Sequence, residues 1–551
     1  MNGNYKILND CRNMYPSEII ETIVKSRKIN NIDDFLNPSK SHLIPSKKLI
    51  NIDKCRDIIV NGIKQNKRFK IVWDTDLDGI SSGALMCRYL SHYTDNIDNY
   101  INQSKAHGLI GQNIDNFIDT DILIVVDSLD NGISMYKKIS EHGVQIIVLD
   151  HHNISENIPY DNYIVLVSSQ QNYENKALSG VGVTWKACNY LDEYYGNNYA
   201  DDYFDLVACG LIADMSDISE NSMENRYLVN MGLNNLKSMA IKKIIGSFPF
   251  NSTAIGFSIA PLINACNRVN RNNVAMDLFL EDDTKLISKH IKKLKECKEE
   301  QAKAVDEVFD NVIQQAENQI SEKIIYIFVD TKYNISGLIG NKLLEKYQRP
   351  IMILKEKIYN NKKYYMGSAR AVGVDNFNQL CKDTKLCEAD GHDNAHGVKI
   401  LVDDLEEFDN RIKKLLENIE FKQPVTEVDI VLELSDINND LIDKIKELNK
   451  ISGNGFKPIN VFLNNIDNYS ISDMSKGKHL VVKPSDYFDI IKWNFQGSFD
   501  DMEENAILGE PLSFVGVLDS GFIGRKFSMK LICNEIIGGE IDGTLACTYN
   551  V

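Results

Sequence analysis

Four short apolar runs in the first 214 residues each end in an acid or a histidine, and this repetition constrains the fold more than any other feature. Phe69 to Trp73 leads into Asp74-Thr75-Asp76-Leu77-Asp78-Gly79, and Asp121 to Val126 ends in Asp127. Val144 to Leu149 ends in Asp150-His151-His152, and Leu206 to Ala213 ends in Asp214. Phe69 to Trp73 is β-branched and aromatic, whereas Ser82 to Leu90 has helical composition, so the first three aspartates sit where a strand turns into a helix. Alternate residues at a strand end face the same way, which lets Asp74, Asp76 and Asp78 converge. Taken singly, the first motif fits a turn or a calcium-type loop. Four strand ends in order instead predict one crevice above a parallel sheet, where open α/β folds bind ligands.

The chain is too long for one hydrophobic core at 551 residues, which implies two to four domains. Met1 to Lys6 lacks a basic region followed by an apolar core, and no apolar run reaches membrane-spanning length, so a cytoplasmic protein with no membrane contact is expected. Eleven cysteines are scattered without a CxxC, the closest being Cys381 and Cys387, which points to reduced, buried thiols rather than zinc or disulfides. A net charge of −17 runs against a nucleic-acid binder. Bound cations reverse the local sign of an acidic pocket, however, and lysines can still cluster in a basic groove.

With those motifs in order, the chain resembles the RecJ-type single-strand-DNA exonucleases of the DHH/DHHA1 phosphoesterase superfamily. Leu178-Ser179-Gly180-Val181-Gly182-Val183 is similar to the family's glycine-rich turn before a helix. Pro261-Leu262-Ile263-Asn264-Ala265-Cys266-Asn267-Arg268 resembles its PRINAAGR segment, and Gly367-Ser368-Ala369-Arg370 its GSAR motif. Gly391-His392-Asp393-Asn394-Ala395-His396-Gly397 resembles the GGHxxAAG motif of the DHHA1 domain. Lys476-Gly477-Lys478-His479-Leu480 and Gly524-Arg525-Lys526-Phe527-Ser528-Met529 extend the resemblance to the C-terminal part. There are departures. The string Asn-Gly-Ile-Ser follows Asp130 rather than Asp127, so either aspartate can be the ligand, with Asp127 preferred because it closes the apolar run. Leu262 and Asn267 replace an arginine and a glycine, Asp390 replaces a glycine, and Thr331-Lys332 stands where the family has Trp-His.

The organisation expected is α/β throughout its first parts. Residues 1–65 read as a helical and loop-like N-terminal extension of the catalytic core, broken at Phe35-Leu36-Asn37-Pro38, and 66–280 as the DHH domain with its parallel sheet. Residues 281–320 form a long connector helix, with Leu286, Ile287, Ile291, Leu294, Val305, Val308, Phe309 and Val312 at helical spacing. Residues 321–415 form an α/β DHHA1 substrate-binding domain. Short strands over 416–551 suggest a sandwich or small barrel, and the resemblance selects an OB-like barrel that binds nucleic acid.

Phosphodiesters resist hydrolysis because their charge repels nucleophiles and the alkoxide leaves poorly, two problems that a pair of metal ions addresses. Oxygen-rich ligands with one imidazole suit Mn2+ or Mg2+. The resemblance implies two ions, with Asp74 and Asp76 on one, Asp78, His151 and Asp214 on the other, and Asp127 bridging. Asp150 then orients an imidazole, and His152 contacts the scissile phosphate. Ser368, Arg370, Gly391 and His392 fit a phosphate grip, with Arg268 as a further contact or as one half of an internal ion pair. Lys476 and Lys478, with Tyr487, Phe488, Trp493, Phe495, Phe522 and Phe527 nearby, suit a single strand, although such rings also serve as core. The function implied is 5′→3′ hydrolysis of single-stranded DNA to 5′-mononucleotides by a monomer, with delivery by a helicase or single-strand-binding protein left open. The alternatives are a DHH phosphodiesterase acting on short oligonucleotides or cyclic dinucleotides, and a catalytically silent DHH scaffold.

Overall fold

The computed structural model describes residues 4–102, 108–109, 111–129, 134–154, 163–359, 361–422, 425–523 and 526–538, without the side chains of 4, 522, 523 and 526. A five-stranded, wholly parallel sheet carries the catalytic region. Its order is Ile97–Ile101, Phe69–Trp73, Ile122–Val126, Gln145–Asp150, Ile164–Ser168. The four strands from Phe69 onward are buried on both faces, which is why they read as largely apolar runs rather than as an apolar–polar alternation. The chain leaves Phe69–Trp73 for one side of the sheet and returns on the other at Ile122–Val126, so the connections part between these two strands. Asp74 and Asp127 follow directly at their C-terminal ends, the place where such a reversal opens a crevice.

Leu206–Ala213 departs from the strand-end reading. It lies within the α-helix Phe204–Ala213, packed on helices Leu77–Leu90, Gly180–Tyr195 and Met223–Asn234. A run buried on all sides has no polar face from which to read a period, so a strand and a helix look alike in sequence.

The connector helix Thr284–Glu317 is 34 residues long, about 50 Å at 1.5 Å per residue. Ile287, Ile291, Leu294 and Cys297 join the core of the catalytic region, while Ala304, Val305, Val312 and Ala316 join that of the following domain. One helix therefore belongs to two cores and holds them in fixed relation. The second domain has a mixed sheet in the order Cys387–His392, Ala395–Leu401, Lys362–Arg370, Ile351–Tyr359, Ile325–Phe328, with helix Ser336–Tyr347 packed on its central strands.

The C-terminal sheet has seven strands, ordered Ile430–Leu432, Val461–Ile466, Leu512–Ile523, Lys526–Gly538, Phe488–Lys492, His479–Ser485, Ser470–Met474. Strand Ser470–Met474 and helices Asn439–Asn449 and Phe499–Leu508 were not anticipated. Among the described residues no pairing joins the two edge strands into the expected barrel. The N-terminal chain occupies the outer edge instead: Val431 N donates to Asn9 O at 3.0 Å, and Cys11 N donates to Val431 O at 3.1 Å. Within the helical and loop-like segment 1–65, Asn4–Ile7 is a strand paired in parallel with Val425–Val428. Arg27 adds an ion pair with the buried Asp429 at 2.5 Å. One continuous core accordingly runs from Cys11 to Cys297 and from Ile430 to Cys533. No described helix is long and apolar enough to cross a membrane.

Candidate metal centre and substrate cleft

Asp76 caps the N-terminus of helix Leu77–Leu90, accepting from Asp78 N at 3.0 Å and Gly79 N at 3.1 Å. This cap turns the chain so that Asp74 and Asp78 lie on either side of it. Asp74 Oδ1 accepts from Ser128 Oγ at 3.3 Å. Asp78 is fully buried and accepts from Ser179 Oγ at 3.0 Å, Gly180 N at 2.8 Å and Val181 N at 3.1 Å, the start of helix Gly180–Tyr195. A helix N-terminus stabilises a carboxylate through its free N–H groups and its dipole. Three glycines make room for these acids. A Cβ on Gly79 would meet Asp74 Cβ at 2.4 Å, one on Gly180 would meet Asp127 Oδ1 at 2.4 Å, and one on Gly210 would meet Asp78 Oδ1 at 2.2 Å.

Asp127 follows strand Ile122–Val126 with φ of 54°, a left-handed conformation that is uncommon outside glycine and is typical of functional turns. His151 Nε2 stands 3.2 Å from Asp127 Oδ1, 3.7 Å from Asp214 Oδ2 and 3.9 Å from Asp78 Oδ2. Asp214 reaches this point from the C-terminal end of helix Phe204–Ala213. Asp150 does not join the group directly. Its Oδ1 accepts from His152 N at 2.6 Å and lies 2.8 Å from His152 Nδ1, and its Oδ2 accepts from Leu129 N at 2.5 Å. Ligand atoms of three sets lie within 4.8 Å of one another: Asp74, Asp76, Asp127; Asp78, His151, Asp214; and Asp127, His151, His152. Asp130 lies outside the described residues.

The electrostatics of this cluster favour cations. Burial, then Asp78, Asp76 and Asp74, push the Asp127 carboxyl well above the usual range. Burial, then Asp78 and Asp76, push Asp214 up to about 8. Burial opposes charge on His152, yet the Asp150 carboxylate beside it raises its pKa to about 10, and the same contact holds Asp150 at about 2 against its burial. Burial lowers the pKa of His151 despite Asp78. Packed carboxylates that resist joint ionisation form a site that a divalent ion relieves. Asp127 Oδ1 is buried without a hydrogen-bond donor, the kind of orphaned oxygen that a bound cation would satisfy. The oxygen donors with one imidazole fit Mn2+ or Mg2+.

A cavity of about 640 Å³ opens beside the cluster, lined by Asn153 from the catalytic domain and by Asn341, Arg370, Gly391, His392 and Asn394 from the second. Arg370 Nε donates to Asn341 Oδ1 at 2.8 Å and Nη1 to Ala369 O at 2.7 Å. Ser368 Oγ lies 2.9 Å from Ser336 Oγ. Gly391 has φ of 124°, which a side chain rarely adopts. Arg268 Nη1 donates to Gln301 Oε1 of the connector helix at 3.1 Å, a neutral partner in place of the ion pair weighed above. Lys476 and Lys478 are exposed on the turn between Ser470–Met474 and His479–Ser485 and do not line this cavity. Of the nearby rings, Phe488 is core and Phe495 packs on Phe499, whereas Tyr487, Trp493 and Phe527 are exposed. Arg525 and the side chains of Phe522 and Lys526 lie outside the described set.

The profile of the DHH family, N-terminal domain, matches residues 68–211. These residues are a DHH domain. The chain is 29% identical over 469 residues to the SPbeta prophage-derived protein of Bacillus subtilis (strain 168) named single-strand DNA-specific exonuclease YorK, covering 76% of this chain and 79% of that one. It is 26% identical over 538 residues to the single-stranded-DNA-specific exonuclease RecJ of the same strain, covering 92% of this chain and 66% of that one. Its fold matches RecJ of Thermus thermophilus in complex with Mn2+, with a TM-score of 0.75 at 19% identity, over 98% of this chain and 81% of that one.

Several residues around the DHH domain's acid cluster escaped the sequence reading. Asn267 Nδ2 donates to Thr75 Oγ1 at 2.7 Å, so a departure from the family pattern grips the first acidic loop. Asn334 N, from the second domain, donates to the neighbouring Arg268 O at 2.9 Å. Ser128, Gly210, Asn341 and Ser336 carried no local signal, because each acts through a partner distant in sequence.

Proposed function

We propose that this chain is a divalent-metal-dependent exonuclease that hydrolyses single-stranded DNA in the 5′→3′ direction to 5′-mononucleotides, serving DNA recombination, repair or replication. The names of the relatives supply the substrate class. The observation that carries the reading is the convergence of Asp74, Asp76, Asp78, Asp127, His151 and Asp214 from four chain segments onto one crevice. In this reading Asp74, Asp76 and Asp127 hold one Mn2+ or Mg2+, and Asp78, His151 and Asp214 hold the other, with Asp127 shared. When bound, the ions lower the pKa of an attacking water and offset charge on the phosphodiester oxygens.

The remaining roles fall to this chain's own side chains. Asp150 fixes the His152 ring through Nδ1, so that Nε2 donates to a nonbridging phosphate oxygen. Arg370, held by Asn341, grips the neighbouring phosphate with Ser368 and His392, and Gly391 lets the backbone approach it. Arg268 holds the strand at the connector side, and Lys476 and Lys478 contact it farther from the cleft.

Digestion of 5′- and 3′-labelled single-stranded DNA and RNA with Mn2+, Mg2+ or chelator, beside Asp214→Ala, tests this reading. Metal-dependent release of mononucleotides from the DNA 5′ end, lost in the variant, is expected. A folded protein that leaves long strands intact and hydrolyses only dinucleotides or cyclic dinucleotides overturns it.

A further inference from the structure

The first turns of the connector helix carry an unbalanced cationic surface. Residues 285–298 hold six lysines, Lys285, Lys289, Lys292, Lys293, Lys295 and Lys298, against one acid, Glu296, in a chain of net charge −17. Ile287, Ile291, Leu294 and Cys297 of this stretch are buried in the catalytic core. At 3.6 residues per turn Lys285, Lys289 and Lys292 fall on the opposite face and Lys293 and Lys295 on its two flanks, and Lys285, Lys289, Lys292 and Lys295 are exposed. Three lysines on other helices pair with an acid one turn away, Lys25–Glu21, Lys413–Asp409 and Lys444–Asp440. The ion pairs beside this stretch use other cations, Arg88 with Asp282 at 2.9 Å and Arg271 with Glu300 at 2.7 Å. Lys285, Lys289 and Lys293 are instead spaced as like-charge neighbours, an arrangement that weakens a helix standing alone. Helix Met239–Ile245, packed against the connector, adds exposed Lys242 and Lys243. The row from Lys285 to Lys295 is bounded by acids, Asp282 and Asp283 before it and Glu296, Glu299 and Glu300 after it.

We propose that this lysine face is an exosite for the phosphate backbone of the nucleic-acid strand outside the cleft, raising affinity for long strands over short ones. The inference rests on the strand-cleaving reading above. Lys285 to Lys295 extends about 15 Å along the helix, long enough to face successive phosphates. Lysines acting as mobile point charges suit contact with a backbone of any sequence. Charge complementarity selects a polyanion, and on the strand-cleaving reading that polyanion is the substrate strand itself.

The test compares the full chain with Lys285→Gln/Lys289→Gln/Lys292→Gln/Lys293→Gln and with the matching quadruple arginine variant. Fluorescence anisotropy in chelator measures binding of single-stranded DNA of about 6 and about 40 nucleotides across a salt series. Circular dichroism checks the fold, and cleavage of both lengths is followed separately in Mn2+. The glutamine variant is expected to bind the long strand about 10-fold more weakly, with a log–log salt slope shallower by about 2 to 3, while its binding and cleavage of the short strand match wild type. The arginine variant is expected to retain long-strand affinity. Unchanged long-strand affinity in the glutamine variant, as for a face that serves an acidic protein, overturns the exosite, as does an equal loss at both lengths. Length-dependent binding without cleavage by the wild type supports the exosite and overturns the catalytic reading instead.

Discussion

Gly210 packs so tightly on Asp78 that a Cβ there would stand 2.2 Å from Oδ1 of the carboxylate. The glycine lies on helix Phe204–Ala213, which delivers Asp214 immediately after its last residue. Asp78 and Asp214, far apart in the chain, are therefore spaced by a missing side chain. Gly210→Ala is expected to displace Asp78 from its place on the Gly180 helix and to lower metal-dependent cleavage about 100-fold, since small misplacements of reacting groups are felt strongly. Cleavage assays beside a melting curve check this. Wild-type activity would mean that the helix shifts without disturbing the acids.

Asn267 joins the segment preceding the connector to the first acidic loop through Thr75 Oγ1. Asn267→Ala removes a buried hydrogen bond and is expected to cost about 1 to 2 kcal/mol of stability. Mn2+ titrations followed by calorimetry are expected to show weaker binding as well, because Thr75 stands between Asp74 and Asp76.

Asp150 touches both the backbone N–H and the ring of His152. Asp150→Asn is expected to leave Mn2+ binding largely intact and to reduce kcat by about 10-fold or more, because the ring loses the carboxylate that orients it. Parallel metal-binding and turnover measurements separate the two effects. Equal losses in both would place Asp150 among the ligands.

Metal removal is expected to destabilise the fold. An ion that binds only the folded state raises Tm by mass action, so Mn2+ is expected to raise the wild-type Tm and chelator to reverse the rise. Asp127→Asn, which removes a buried carboxylate crowded by Asp78, Asp76 and Asp74, is expected to melt higher than metal-free wild type and to lose most of the Mn2+ response. Differential scanning fluorimetry reads both.

His396 is buried on strand Ala395–Leu401, and burial, with Arg370 and Lys382 nearby, brings its pKa down from 6.5 to about 4. Between these values the unfolded chain binds a proton that the folded chain does not. Stability is therefore lost as pH falls from 6.5 toward 4, by about 2 kcal/mol at pH 5. His396→Ala is expected to be less stable at neutral pH but to lose less stability between pH 7 and pH 5. Urea unfolding at the two pH values measures the difference.

The metal-type residues were legible because their signals are local. A buried strand, an acid at its C-terminal end and a capping aspartate occupy adjacent positions, so Asp74, Asp76, Asp78, Asp127 and the Asp150-His151-His152 string stand out within a few residues. Asp214 was found for a different reason than the structure gives, since its apolar run is a helix whose burial on all sides hides the period. The connector was legible along nearly its whole length, because its apolar stripe repeats through 34 residues.

By itself, the sequence determined three of the five strands of the parallel sheet, where the acids fall at its mouth and how long the connector runs, since each depends on neighbours a few residues apart. The strands Ile97–Ile101 and Ile164–Ser168 were not anticipated. Tertiary structure alone decided that Asn267 reaches Thr75 across 192 residues, that Gly210 clears a space for Asp78, and that Asn4–Ile7 pairs with Val425–Val428. It also decided that the N-terminal chain covers the edge at Val431. These contacts arise from packing and backbone hydrogen bonding between distant segments, and neither process leaves a mark in the spacing of residues along the chain.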